Sequence, residues 1–203
     1  MEDKKLNEKE SLELITQMIQ NTRHNLDTGS GNMFLLWGYI LAVITLIVAA
    51  GIYWTNNDAW MWGFGGIPVI GYPLSYLLMH KQQKSAKVYG DKVIGEIWKT
   101  IGTCCLFVVL MALNYDMMFL VLPLSGMIMS LGTFITGIVI RYVKFSFAGA
   151  GFAVSIGMLA NSIKGDFDIR ELIAFIVVVI FAMIVPGHIL NNRARKNLQT
   201  PNK

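Results

Sequence analysis

Met117–Lys144 reads MMFLVLPLSGMIMSLGTFITGIVIRYVK, a long apolar run that holds Pro123, is dotted with small residues and closes on Arg141 and Lys144. On a helix, Gly126, Ser130, Thr133, Gly137 and Arg141 recur at steps of three or four and so share one face. In lipid such a face matters because hydrocarbon tails are as apolar as leucine. Helices there associate through close backbone approach and polar contacts, which small residues permit.

Working outward, the whole 203-residue chain has the composition of a bilayer protein. It is 54% hydrophobic and only 15% charged, too poor in charge for a soluble domain of that length. A run of about 20 apolar residues spans the hydrocarbon core, and six such runs are expected, at 33–54, 60–79, 97–113, 117–140, 145–163 and 172–190. The expected fold is therefore an all-α, polytopic membrane helix bundle of six transmembrane helices arranged as three hairpins. It is preceded by an N-terminal amphipathic helix (1–32) and followed by a polar, disordered cytoplasmic tail (191–203). The first apolar run is too long, and wrongly flanked, for a cleavable signal. A three-plus-three inverted repeat is the alternative arrangement.

Orientation follows from lysine and arginine. Fifteen of the 17 fall in the N-terminal segment, the loop after the second run, the loop closing on Arg141 and Lys144, and the tail. Only Lys164 and Arg170 lie on the other side, so both termini are expected in the cytoplasm, in a bacterial inner membrane. The net charge of +4 reflects this topology and attraction to anionic membrane lipids, not nucleic-acid binding.

Ahead of the first run, Asn7 and Glu10 offer a capping box, and Leu12, Ile15, Ile19, Thr22 and Leu26 form an apolar stripe. That helix is expected to lie on the inner leaflet or to pair with a twin or a cytosolic protein. The second run holds Gly63, Gly65, Gly66, Pro68, Gly71 and Pro73 and should be kinked or broken. In the fifth run Ser146, Ala150, Ala153, Gly157 and Ala160 form a second small-residue face, so the fourth and fifth runs are expected to cross small face to small face. Asn161 and Ser162 are candidate interhelical donors near its end, and Pro186 is expected to mark the exit of the sixth run.

Several strings together, Glu10-Ser11-Leu12-Glu13 through Met18-Ile19, Trp37-Gly38-Tyr39, Pro68–Leu74, Gly132–Gly137 and Val185-Pro186-Gly187-His188, resemble a group of small six-span bacterial inner-membrane proteins with no assigned activity. The resemblance implies the six-span topology and supplies no catalytic residue.

Chemistry is sparse. The centres of the runs hold no Asp, Glu, Lys or Arg, with Lys99, Arg141 and Glu171 at run ends, which argues against a proton relay or a paired-aspartate protease. His24, His80 and His188 belong to no metal-binding pattern, and neither cofactor nor metal is expected. The serines lack a nucleophile elbow and a base. The expected function is a non-enzymatic scaffold or regulatory protein that presents its amphipathic helix and basic loop to a partner, with a homodimer as the alternative assembly. The alternative function is a small transporter or channel for a neutral or amphipathic solute. Candidate solute or partner residues are Pro68, Pro73, Thr136, Arg141, Lys144, His80 and His188.

Overall fold

The computed structural model describes residues 30–82, 89–115, 117–139, 147–164 and 168–199, and every regular element among them is helical. The expected amphipathic helix ahead of residue 30, and Arg141 and Lys144, lie outside the described residues.

Helix α1 (Ser30–Thr55) ends at Asn56, whose φ of 49° is the left-handed conformation asparagine tolerates, and whose N–H donates to Ile52 O at 2.8 Å. Asn57 then accepts from the Ala59 N–H at 2.9 Å and starts a 3₁₀ segment, Asp58–Gly65. This turn lays the Trp60 ring on Gly51, where any Cβ would collide with it, and the indole N–H donates to Thr55 Oγ1 at 2.9 Å. Helix α2 (Gly66–Gln82) returns along α1, with Trp37 filling the space that Gly71 leaves open.

The expected second run is thus divided. Residues 60–65 belong to the 3₁₀ segment and the α-helix begins only at Gly66. Pro68 falls in the first turn, where its missing N–H has no helical partner to lose, and Pro73 lies inside the helix.

Helix α3 (Tyr89–Asn114), a short 3₁₀ turn (Met118–Leu120) and α4 (Val121–Val139) form the next antiparallel pair, with Ile101 packed where Gly132 lacks a side chain. Trp98 of α3 meets Phe34 of α1 edge-on, with ring centroids 4.7 Å apart. Helix α5 (Phe147–Ser162) packs on α4. Then α6 (Ile169–Val179), a π-turn (Ile180–Ile184) and α7 (Val185–Gln199) run as one rod.

That rod is the centre of the bundle. Leu172, Val178, Val179 and Ala182 have no exposed surface, and α1, α4 and α5 all pack against it. In the most apolar 18 residues of Ile169–Asn192, 44% are buried, against 6% in the corresponding stretch of α3, which lies at the outside of the bundle. The outward faces of α2 and α3 are large and apolar, Ile70, Tyr72 and Leu77 on one and Phe107, Leu110 and Met111 on the other, as suits a surface bathed in lipid.

Among the described residues four helical stretches, Gly31–Thr55, Val93–Asn114, Met118–Val139 and Ile169–Asn192, are long and apolar enough to cross a membrane. The rod does not stop at Pro186, and the first nine residues of the expected disordered tail (191–199) are helical.

Candidate functional site

Proline inside a helix removes one backbone donor and crowds the carbonyl four residues earlier. For Pro186 that carbonyl belongs to Ala182, and the chain answers with the π-turn, in which the Val185 N–H reaches back to Ile180 O. The freed Ala182 carbonyl takes its hydrogen bond from another helix: Thr133 Oγ1 of α4 lies 2.5 Å from it and 3.1 Å from its own-helix Met129 O. One proline in α7 thus creates a polar contact between α4 and the central rod at a site with no exposed surface.

Around this contact the small residues of α4 form a buried seam. Gly126, Ser130, Thr133, Thr136 and Gly137 are all buried, as are Ser125 and Pro123. A Cβ built on Gly126 would stand 2.6 Å from Ser155 Oγ and 3.2 Å from Val178 Cγ1, and one on Gly151 would stand 2.8 Å from Ser130 Oγ. Helices α4 and α5 therefore meet through paired glycine and serine positions.

The face of α5 that does this is Ala148, Gly151, Ser155, Met158 and Ser162. The expected face is a correction: Ala150, Ala153 and Gly157 are exposed, with nothing within 4 Å of a Cβ on Gly157. The packed face lies nearly opposite the expected one, about 160° round the helix at 100° per residue.

Two seam hydroxyls bond to carbonyls of their own helix, Thr136 to Gly132 O at 2.7 Å and Ser155 to Gly151 O at 2.9 Å. Ser130 Oγ is buried without a partner. A hydroxyl whose partner is a carbonyl has no base to activate it. The seam's chemistry is that of helix contact.

At the end of the seam away from the π-turn, Ser162 Oγ donates to Glu171 Oε1 at 2.8 Å, and Glu171 is only 2% exposed. Its other oxygen, Oε2, is buried without a hydrogen-bond partner. Spacing pointed to Ser162 as an interhelical donor but not to its acceptor, because a glutamate at a run end looks like an ordinary interfacial residue. At the opposite end of the rod, Asn191 Nδ2 donates to Asn32 Oδ1 at 2.8 Å and the Tyr39 hydroxyl lies 2.9 Å from His188 Nε2. Gly187 fits there against Leu35 and Phe34. These contacts clamp α7 to the start of α1.

No family model, no curated protein and no solved structure matches the chain.

The remaining candidates do not converge. Pro68 and Pro73 are exposed on α2, which packs against α1 and the 3₁₀ segment, whereas Thr133 and Thr136 on α4 have no exposed surface. His80 stacks on Tyr76, with centroids 6.1 Å apart, and His188 pairs with Tyr39, so the two histidines have separate partners. Among the described residues no three His, Cys, Asp or Glu side chains come together as a metal site.

Proposed function

We propose that the chain is a six-span protein of the bacterial cytoplasmic membrane, non-enzymatic, with both termini inside the cell, that presents its N-terminal amphipathic segment and its basic loop and tail to a cytosolic partner. In this reading α2 and α5 are spans too. Their 17 and 16 residues give rods of about 24–26 Å at 1.5 Å per residue, and the 3₁₀ segment extends α2 on one side.

The observation that carries the reading is the clamp between α1 and α7. The Asn32–Asn191 hydrogen bond, the fit of Gly187 against Leu35 and the close approach of Gly31 to the Gly187 carbonyl fix these two helices side by side where the N-terminal segment joins the bundle. Helix α7 then runs seven residues past the end of the apolar stretch at Asn192, to Gln199, a projection of about 10 Å. Arg193, Arg195 and Lys196 lie on it. The chain therefore enters and leaves the bundle at adjacent points, and the sequences beyond them, an apolar stripe on one side and Arg193, Arg195 and Lys196 on the other, suit an acidic, helix-binding protein.

The test is crosslinking in native membranes with the full chain, a chain lacking 1–27, and a chain carrying Arg193→Glu, Arg195→Glu and Lys196→Glu. One protein retained by the full chain and lost from both variants, with bundle stability unchanged, is expected. Equal retention by the variants, or nothing retained by the full chain, refutes it. Reporters fused at each end test the orientation separately: signal from outside the cell at either end removes the topology on which the proposal stands.

A further inference from the structure

A carboxylate inside a bundle needs donors or a cation, because burial strips away the water that stabilises its charge. Glu171 has little of either. Ser162 gives it one hydrogen bond, through Oε1, and Oε2 has none. Its position in the first turn of α6 brings partial positive charge from the helix end, but its own N–H is already bonded to Asp168 O at 2.9 Å.

Nor, among the described residues, do the elements packed on α6 offer a counter-charge. Helices α1, α4 and α5 and the π-turn contain no Lys, Arg, His, Asp or Glu, and their ionisable side chains are Tyr39 and Tyr53 of α1. On Glu171's own segment, Arg170 is engaged: its Nε bonds Asp168 Oδ2 at 2.5 Å, and this bond holds the Asp168 carboxyl below the usual carboxylate range, so Arg170 stays paired at neutral pH. Lys164, in the turn after α5, is exposed.

We propose that Glu171 is a proton-binding site: the folded bundle holds this side chain as the neutral acid, and releasing the proton to water loosens the contact between the end of α5 and the start of α6. The neutral form suits the geometry. With the proton on Oε2, Oε1 is a carbonyl oxygen that still accepts from Ser162, and what is left unpaired is one O–H rather than a buried charge. The event is a simple dissociation, carboxylic acid to carboxylate plus a proton, and needs no other reactant. It does not depend on the partner proposed above. The membrane orientation decides only which compartment supplies the proton.

Linkage gives the sign. The folded form binds a proton that the loosened form gives up, so stability is greatest in acid and falls as pH rises. For one proton, the loosening equilibrium shifts about tenfold per pH unit across the window in which the folded form keeps the proton and the loosened form has lost it. The full chain, reconstituted in nanodiscs, is compared with Glu171→Gln and Ser162→Ala.

At neutral pH the infrared band of a protonated carboxyl group is expected in the natural chain and in Ser162→Ala, and not in Glu171→Gln. Hydrogen exchange in the first turn of α6 should rise with pH, beyond its intrinsic rate, in the natural chain but not in Glu171→Gln. An unchanged band in Glu171→Gln, parallel exchange profiles, or loss of the band in Ser162→Ala overturns the proposal. So does stabilisation of the natural chain alone by sodium or potassium, which would make the site one for a metal cation. If Glu171→Gln does not fold, the band in the natural chain and in Ser162→Ala decides.

Discussion

Gly126→Ala adds one methyl group where α4, α5 and the rod converge, and the expected cost can be worked from its neighbours. The new Cβ would stand 2.6 Å from Ser155 Oγ and 3.2 Å from Val178 Cγ1. Rotating the Ser155 hydroxyl out of the way breaks its bond to Gly151 O, worth about 1 kcal/mol. Pressing the methyl against Val178 on the fully buried rod adds roughly 1–3 kcal/mol of overpacking. Alanine returns about 1 kcal/mol as the better helix former. The net is a loss of about 2 kcal/mol, or about 6 °C in melting temperature for a chain of this size. The assay is thermal unfolding of the purified protein in detergent.

The same distances predict coupling. In a Ser155→Ala background the nearest Ser155 atom left is the Cβ, at an ordinary 3.5 Å, so adding Gly126→Ala should then cost about 1 kcal/mol less than it does alone. Gly157→Ala, with nothing within 4 Å, is the control and should not destabilise. Equal melting temperatures for Gly126→Ala and Gly157→Ala, or strict additivity with Ser155→Ala, would refute the close α4–α5 contact.

Three further outcomes follow from other contacts. Thr133→Val keeps shape but strands the Ala182 carbonyl, and should cost about 1–2 kcal/mol; Thr136→Val, which loses only an own-helix bond, should cost less than about 0.5 kcal/mol, both measured by unfolding in detergent. Gly187→Leu drives a side chain into Leu35 and Phe34, so a short thiol crosslinker joining Asn32→Cys to Asn191→Cys should react in the parent bundle and fail with Gly187→Leu. Trp60→Ala removes the ring that covers Gly51 and the indole bond to Thr55, and should raise hydrogen exchange in the 3₁₀ segment while leaving α4–α6 unchanged.

Helical period and small residues go far in α4. Gly126, Ser130, Thr133 and Gly137 share a face by spacing, and that face is buried. The same argument picks the wrong side of α5 because the helix is small nearly all round: Ala148, Gly149, Ala150, Gly151, Ala153 and Gly157 offer several faces of equal smoothness, and spacing cannot rank them. The central place of the rod was not legible either. Leu172–Val185 is an unbroken apolar run, and in a bilayer such residues suit lipid as well as they suit a core, so hydropathy does not separate them. The clamp joins residues 159 apart in the chain, beyond the reach of any local pattern. Nor is Pro186 an exit signal once a neighbouring threonine accepts the task its missing donor leaves undone.

The π-turn also fixes the phase of everything after it. Inserting one residue into a helical turn sets the downstream side chains about 100° behind where a regular helix would carry them. Upstream, Leu172, Phe175, Val178 and Val179 aim at the interior on the regular spacing; downstream, that offset is what lets His188 and Asn191 meet Tyr39 and Asn32. Removing a single residue from 180–184 would therefore wind the end of α7 away from α1, uncoupling the two exits of the chain while each helix stayed intact.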